Sequence, residues 1–294
     1  MLRGFEKARS QVNVRAGVAP LGDAFGHAVL SRLADDTERL SISSGATPEQ
    51  LRKIPAATVL PADAYSLQLV EAPKVPDAEI GEALRWKIQH LIEFPVEEAI
   101  IETFEMPPPA NPGASPMIYA VVARRSEIES HIERIGAADI RIDAIDIPEL
   151  CVRNIAVRLP QDEYGVAFLH FNDDFGYLTI TRGGILYMIR RIELQRDVLA
   201  EQLQEIALEI HRSLDYYESQ FECPPVSELV LGPGDESDTL SASLAENLGI
   251  SVSKLDLSAF FALESELSPR EQQDCLMAVG AALRDDSGRH RAAA

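Results

Sequence analysis

The sequence predicts an α/β protein with two domains and a small α+β subdomain inserted in the first. The chain has 294 residues, which is more than one ordinary hydrophobic core accommodates. Short apolar strand-like segments alternate with segments of helical apolar spacing along most of its length. We expect a first domain at residues 1–160 that contains the inserted subdomain at about 74–147, a second domain at 161–284, and a disordered tail at 285–294.

Composition and charge exclude several classes of partner. The 46% share of hydrophobic residues and the 25% share of charged residues are those of a soluble globular protein. The formal net charge of −20 repels nucleic-acid phosphates and anionic lipids, so we expect no nucleic-acid partner. No apolar run approaches the roughly 20 residues that span a bilayer. Cys151, Cys223 and Cys275 show no metal-type spacing, which is typical of buried thiols in the cytoplasm.

The first domain is expected to begin with one or two strands between residues 12 and 40. The glycine-rich stretch AGVAPLGDAFG at residues 16–26 predicts a loop, because its spacing matches neither a phosphate-binding loop nor a dinucleotide fingerprint. Thr47 is the predicted N-cap of a short helix that ends near Lys53. A further strand is predicted at residues 56–61, and residues 61–70 are predicted to form a helix or turn, with a strand at 66–71 as the alternative.

The inserted subdomain is predicted from a helix and the strands around it. Asp77 is the expected N-cap, and Pro95 the expected end, of a helix with a regular apolar stripe. The stripe consists of Ile80, Ala83, Leu84, Ile88, Leu91 and Ile92. The elements that follow are a strand at residues 99–106, a proline-rich loop at 107–116, a strand at 117–123, a helix at 125–135 with Ile128, Ile132 and Ile135 inward, and a strand at 140–145. Together with the strand at 66–71 they give the order β-α-β-β-α-β.

Trp86 lies outside the apolar stripe of this helix. At about 100° per residue it points away from the isoleucine and leucine side chains, on a second face with Ala83 and His90. Two interpretations are open: Trp86 covers a neighbouring subdomain, or it anchors a partner, as tryptophan often does at interfaces. No residue pattern in the helix indicates catalysis.

The second domain is predicted to start after a helix at residues 148–157. A glycine turn at Arg182-Gly183-Gly184 predicts a hairpin, and a continuous apolar stripe predicts a long helix from about Asp197 to Phe221. The other predicted elements are strands at 166–171, 228–231 and 250–255, and helices at 240–248 and 269–283.

Three segments carry a resemblance to a known family. They read ALRWKIQHLIEFPVEEA, IALEIHRSLDYYESQF and ELVLGPGDESDTLSASLAENLGISVSKLD. The sequences of these segments and their order along the chain resemble the PilM family of type IV pilus assembly, in particular its branch for mannose-sensitive haemagglutinin (MSHA) pili. The similarity runs from about Val59 to Leu283.

This resemblance implies an actin-like (ribonuclease H-like) fold, and a short connection after Arg191 implies that its fourth subdomain is reduced or absent. It also implies a cytoplasmic protein without a membrane span of its own. Such a protein binds the short cytoplasmic N-terminal tail of a single-pass inner-membrane partner, together with other components of the pilus machine.

The chain departs from the nucleotide-binding pattern of actin-like proteins at several independent points. Such a site needs an acidic residue to hold the magnesium shell and glycines that let backbone N–H groups approach phosphates. In the first half, Ala19 and Leu21 stand at the aspartate and glycine positions, with Asp23 nearby as the possible substitute. In the second half, these positions are His170 and Asn172.

The remaining nucleotide-binding elements are also altered. Bulky Phe175 and Tyr177 flank Gly176, and the adenosine-side turn survives only as Gly232-Pro233-Gly234, where the proline removes an N–H donor. We therefore expect a pseudo-ATPase with no nucleotide, no metal and no catalytic residues. A divergent active ATPase and a sugar- or acetate-kinase-like enzyme are the two alternatives, and both would need working phosphate loops.

The resemblance also implies where the partner binds. In the family the tail lies in a groove where the inserted subdomain meets the first domain. The residues of this chain expected to line it are Trp86, His90, Phe94 and Pro95. A separate set, His211, Asp215 and Glu218, has helical spacing that could converge on a metal, but no further ligand is evident and a solvated helix face is the better interpretation.

Overall fold

The computed structural model describes residues 11–21, 24–33, 37–45, 49, 51–54, 56–76, 79–111, 113–172, 175–193, 199–234 and 237–284. Within these ranges no helix is long and apolar enough to cross a membrane. Asp23, Thr47, Asp77 and the predicted tail at 285–294 lie outside the described residues.

The first large sheet has six strands in the order β14-β3-β2-β1-β4-β8. Its strands are β1 (Gln11–Leu21), β2 (Ala24–Leu33), β3 (Glu38–Gly45), β4 (Ala56–Val59), β8 (Ile142–Asp146) and β14 (Ala262–Leu263). The first three form an antiparallel meander, and β4 runs parallel to β1 and β8.

The predicted loop at residues 16–26 is wrong. Ala16 to Leu21 continue β1 and pair residue by residue with β2. Gly17 is required here for packing, since a Cβ at this position would lie 1.8 Å from the carbonyl oxygen of Ala278. A glycine that admits a helix against a strand looks, in sequence, like a glycine that makes a turn.

A three-stranded antiparallel sheet, the small sheet, has the order β5-β7-β6. It consists of β5 (Tyr65–Glu71), β6 (Ala99–Glu105) and β7 (Met117–Arg124), with helix α1 (Ile80–Ile88) on one face. Helix α2 (Arg125–Ala137) and β8 follow, so the predicted β-α-β-β-α-β order is present. The last strand, β8, pairs with β4 of the first sheet rather than with the small sheet.

Two details of these helices differ from the prediction. Helix α1 ends at Ile88, seven residues before Pro95, because the chain turns where the Leu91 amide donates to the Ile88 carbonyl. Leu91 is therefore outside the helix and exposed. In α2, Ile135 is buried as expected, whereas Ile132 is 45% exposed.

The second large sheet has five strands in the order β11-β10-β9-β12-β13. Its strands are β9 (Val166–Phe171), β10 (Phe175–Arg182), β11 (Ile185–Glu193), β12 (Glu228–Leu231) and β13 (Ser251–Lys254). Helices α4 (Leu199–Phe221) and α5 (Ser237–Leu248) pack on one face, and the stripe that includes Ile206, Ile210 and Leu214 is buried as predicted. Since β11 ends at Glu193 and α4 begins at Leu199, no subdomain is inserted between them.

Two helices, α3 (Pro148–Ala156) and α6 (Pro269–Ala282), lie in one hydrophobic core with residues of both large sheets. They cross closely at Gly280, where a Cβ would lie 2.4 Å from the carbonyl oxygen of Cys151. The Asn154 amide donates to the Gly280 carbonyl at 3.0 Å. The two halves of the molecule therefore share their packing rather than meeting as separate bodies.

Candidate functional site

A cleft of about 890 Å³ opens between the two large sheets. The ends of β1, β4, β9 and β10 and one side of α6 form its walls. The predicted nucleotide positions Ala19, His170 and Asn172 all line it, so the structure brings residues from both halves together. Gly232 and Gly234 lie directly behind, against His170 and Gln273.

His170 fills the space next to Gly232. Its side chain is buried in β9, and a Cβ at Gly232 would lie 2.5 Å from His170 Nδ1. Burial lowers the pKa of His170 to about 3, so the ring is neutral at physiological pH. The Gly232 amide donates to the Leu169 carbonyl at 2.8 Å. The His170 ring therefore occupies the space beside Gly232, and the Gly232 N–H is already bound to a strand carbonyl. A phosphate-binding turn would need both that space and that donor.

The turn between β9 and β10 is closed on itself. The side-chain oxygen Oδ1 of Asn172 accepts a hydrogen bond from the Phe175 backbone N–H at 2.7 Å. The backbone N–H of Asn172 donates to the Phe175 carbonyl at 2.9 Å. The ring of Phe171 lies so close to Gly176 that a Cβ there would be 2.8 Å away. Gln273 donates to the Phe171 carbonyl at 3.0 Å. Polar groups that could point at a ligand instead hold the wall together.

The cleft is lined by carboxylates. Asp63, Glu193, Glu205 and Asp274 face it, and no lysine or arginine lines it in the described part of the chain. Asp274 pairs with Arg270 at 2.9 Å, but anionic phosphates would still meet the like charge of the other three carboxylates. Among the described residues, no group of three histidine, cysteine, aspartate or glutamate side chains is placed to hold a metal ion.

Arg191 lies close to the cleft but is bound to other parts of the protein. It pairs with the buried carboxylate of Glu149 at 2.7 Å, and it donates to the Tyr65 hydroxyl at 2.8 Å and to the Ala62 carbonyl at 3.0 Å. Its guanidinium also lies 5.1–5.8 Å from the ring centres of Tyr65, Phe175 and Tyr177. We call Tyr65, Glu149 and Arg191 the arginine junction, since they join the small sheet, α3 and the second large sheet.

Burial and hydrogen bonding fix the protonation of this junction. Tyr65 donates its hydroxyl proton to Glu149, and burial together with the Glu149 charge raises the pKa of Tyr65. Sequence reasoning used Arg191 only to mark the end of the hairpin, because no local pattern links it to Glu149 or Tyr65.

The second candidate site is on the small sheet. We call Trp86, His90, Phe94 and Pro95 the Trp86 surface. Trp86 is 74% exposed, because Leu84 and Ile88 on either side of it point into the core of the small sheet. Gln89 donates to the Trp86 carbonyl at 3.2 Å and lies 3.3 Å from His90 Nε2.

The segment from Phe94 onward is held in place by two arginines. The guanidinium of Arg124 stacks on the ring of Phe94 at 4.7 Å, and Arg85 donates to the Val96 carbonyl at 2.7 Å. Phe94 is half-buried, while Pro95 and His90 are exposed. The surface is thus an ordered turn with one large ring extended into solvent.

The structure places this surface on the outer side of the small sheet. Alternate residues of β7 define the two faces: Ile118, Ala120 and Val122 pack under α1, whereas Tyr119, Val121 and Ala123 face the two large sheets. Trp86 therefore covers no neighbouring subdomain in the described part of the chain. The side of the small sheet that faces the first domain, where the groove is expected, is the side opposite to α1 and Trp86.

His211 is also placed by the structure. Its Nε2 atom lies 3.1 Å from the Asn247 carbonyl, so this ring bridges α4 and α5.

No protein-family model matches the chain. No curated protein matches it either. Among solved structures, the PilM-PilN type IV pilus biogenesis complex is similar with a TM-score of 0.71 and 19% identity, over 92% of this chain and 98% of that one. The cytoplasmic domain of EpsL, an inner-membrane component of the type II secretion system of Vibrio cholerae, has a TM-score of 0.51 and 13% identity, over 93% and 96%.

A third similar structure is a protein of unknown function with an actin-like ATPase fold from Bacteroides thetaiotaomicron, with a TM-score of 0.49 and 12% identity, over 86% of this chain and 94% of that one. The arrangement of two large sheets around α3 and α6 agrees with the first two similarities. The predicted actin-like two-domain α/β fold is confirmed.

Proposed function

We propose that this chain is a nucleotide-free adaptor in the cytoplasm, part of a type IV pilus assembly complex at the inner membrane. The observation that carries this proposal is the cleft, where Asn172 and Gln273 bind the wall itself, His170 packs beside Gly232, and the lining is acidic. The similarity of fold to PilM and to the EpsL domain supports a place in a pilus or secretion machine. Within this class, the sequence resemblance favours the MSHA pilus and the protein MshI.

The proposed partner is a single-pass inner-membrane protein that offers its short cytoplasmic N-terminal tail, and the Trp86 surface is the proposed contact. An exposed tryptophan on an ordered turn is the kind of anchor that carries binding energy at interfaces. Other components of the pilus machine are proposed to assemble around this pair.

A divergent active ATPase is the second candidate. The observation in its favour is the cleft of about 890 Å³ between the two sheets, which has the volume of a small-molecule site. Its acidic lining and the engagement of Arg191 argue against it.

Calorimetric titration with ATP and magnesium separates these candidates. For a nucleotide-free adaptor we expect no saturable heat at protein concentrations that would reveal micromolar binding, in a sample shown to be folded by circular dichroism. Saturable binding would overturn the pseudo-ATPase proposal and put the ATPase first.

The partner contact is tested with a synthetic peptide of the membrane partner's cytoplasmic tail. Trp86→Ala should weaken its binding by about tenfold or more, as loss of an aromatic anchor does. Tyr164→Ala is the matched control, because Tyr164 is 68% exposed and lies far along the chain, before β9. Equal affinity of wild type and Trp86→Ala would reject the anchor role.

A further inference from the structure

Strand β6 has one free edge. Within the described part of the chain it lies at the border of the small sheet and pairs with β7 alone. Of its seven residues, Ala99–Glu105, Ala99 also donates its backbone amide to the Val96 carbonyl, and the edge from Ile100 to Glu105 has no other hydrogen bond among the described residues. An unpaired row of N–H and C=O groups is a template for another strand unless it is shielded.

Two other long edges are already partly used. On β11, both the amide and the carbonyl of Ile189 meet the hydroxyl of Tyr119, at 3.4 and 3.5 Å. On β5, Lys87 donates to the Glu71 carbonyl, and Tyr65 at the other end belongs to the arginine junction. By comparison, among the described residues, β6 is open from Ile100 to Glu105.

The edge is also acidic. Glu102 and Glu105 are exposed on β6, and Glu97 is exposed just before it. Of the two nearest arginines, Arg85 binds the Val96 carbonyl, and Arg124 stacks on Phe94 and pairs with Glu98 at 3.6 Å. Neither forms an ion pair with Glu102 or Glu105. A strand that adds here gains from basic side chains opposite Glu102 and Glu105.

The same charges oppose pairing between copies of this chain. In a full-length antiparallel pair of two β6 strands, Glu102 at the middle would face its own copy. Like charges directly opposite each other are destabilising in a sheet. The edge is therefore open to a partner but not to itself.

We infer that the free edge of β6 binds an extended basic segment of a partner as a fourth strand of the small sheet. Because Glu102 and Glu105 are three positions apart, they point to opposite faces, so the added strand carries lysine or arginine at positions i and i+3. Backbone hydrogen bonds supply the affinity and these two side chains supply the register. That the segment is the tail of the membrane partner rests on the function proposed above.

The test uses three blocked peptides of threonine and valine that contain two lysines. The first has lysines at i and i+3, the second has the same composition with lysines at i and i+2, and the third is the first peptide methylated on alternate backbone nitrogens. Hydrogen exchange of the β6 amides and calorimetry are measured with each. We expect the first peptide to bind and to slow hydrogen exchange within residues 99–105. We expect the affinity of each of the other two to be at least about tenfold lower.

Protein variants complete the test. Glu102→Gln combined with Glu105→Gln should lower the affinity for the first peptide by about tenfold at low salt. Glu127→Gln with Glu129→Gln, which removes the same charge from the exposed side of α2, should leave that affinity unchanged. Equal binding of the methylated peptide, protection outside β6, or indifference to the Glu102 and Glu105 changes would overturn the inference.

The outcomes distinguish this inference from the proposed function. If the partner's tail binds through Trp86 while the β6 amides stay unprotected, the adaptor function stands and the strand addition is wrong. If the first peptide protects β6 but the partner's tail does not bind, the edge is a docking site and the proposed partner is wrong.

Discussion

At the cleft between the large sheets, Asn172 and Gln273 bind backbone groups of the wall, and beside the cleft Arg191 binds Glu149. On the small sheet, Trp86 is 74% exposed, and β6 is paired on one side only within the described part of the chain. The two regions differ in the partners of their interacting groups. At the cleft, several polar side chains and the neighbouring arginine have partners within the protein. On the small sheet, an aromatic ring and a strand edge are left facing solvent.

This difference indicates where an actin-like fold can offer contacts to a partner outside its cleft. A group that is satisfied within the protein has little to gain from a ligand, because binding would first break an existing interaction. A solvent-facing ring or strand edge loses only water. The outer small sheet is therefore the more productive place to look for a partner.

Among these tests, breaking the arginine junction should change the free energy of unfolding most. Arg191→Met leaves the Glu149 carboxylate buried without its partner, and we expect a loss of about 3–5 kcal/mol of unfolding free energy. Arg190→Met is the matched control: Arg190 pairs with Glu209 at the partly exposed surface, so a loss of about 1 kcal/mol or less is expected. Urea unfolding measures both. Equal losses would mean that the junction is no stronger than a surface ion pair.

Gly232→Ala tests the packing of His170 against Gly232. The new methyl group would meet His170 Nδ1, and overpacking of this kind costs about 1–3 kcal/mol. Gly136→Ala in α2, with nothing within 4 Å of its Cβ, should be neutral or slightly stabilising. If His170 is the obstacle, Gly232→Ala should cost less in a His170→Ala background. Additive losses in thermal or urea unfolding would contradict this packing.

The buried histidines predict a loss of stability in mild acid. Burial lowers the pKa of His170 to about 3 and of His131 to about 4, and it also lowers the pKa of His27. The unfolded chain therefore binds more protons, and the unfolding free energy should fall as the pH drops from about 6.5 towards 4. Each histidine adds a slope of up to about 1.4 kcal/mol per pH unit.

Urea unfolding across this pH range measures that slope. His170→Asn should flatten it by about one proton. A slope that His170→Asn does not alter would show that this ring is not buried in its neutral form.

Trp86→Ala should have the smallest effect on stability, within about 0.5 kcal/mol, because its ring makes few contacts that are lost on truncation. Leu84→Ala, two positions earlier on α1, removes a buried side chain and should cost about 2–5 kcal/mol. Unfolding measurements on this pair separate the buried stripe of α1 from its exposed face. A large loss from Trp86→Ala would mean that the ring supports the fold.

Local patterns predicted the second domain well. The bounds of β9 and β12 agree with the prediction, because each is a short apolar run between turn residues. That Trp86 lies outside the apolar stripe of α1 also followed from its angle on the helix, whereas its exposure and its location on the outer face did not. The local signals failed at the β1–β2 hairpin, where Gly17 serves helix packing.

The arginine junction could not be predicted from the sequence. Arg191 lies 42 positions from Glu149 and 126 from Tyr65, and no spacing rule connects such residues. In the sequence, the cleft positions differ from the nucleotide-binding pattern only by missing glycines and aspartates. That His170, Asn172 and Gln273 bind the wall itself depends on side-chain contacts between strands and a helix from distant parts of the chain.

The contact of β1 with α6 has a consequence for synthesis on the ribosome. Gly17 packs against Ala278, and Arg15 donates to the Arg284 carbonyl, 269 positions further along the chain. At the usual rate of translation, these partners emerge tens of seconds apart. Until then the first sheet lacks the helix that covers it, and its apolar side is open to water. The nascent chain is therefore an expected client of ribosome-associated chaperones, and it completes its fold only when its last helix is released.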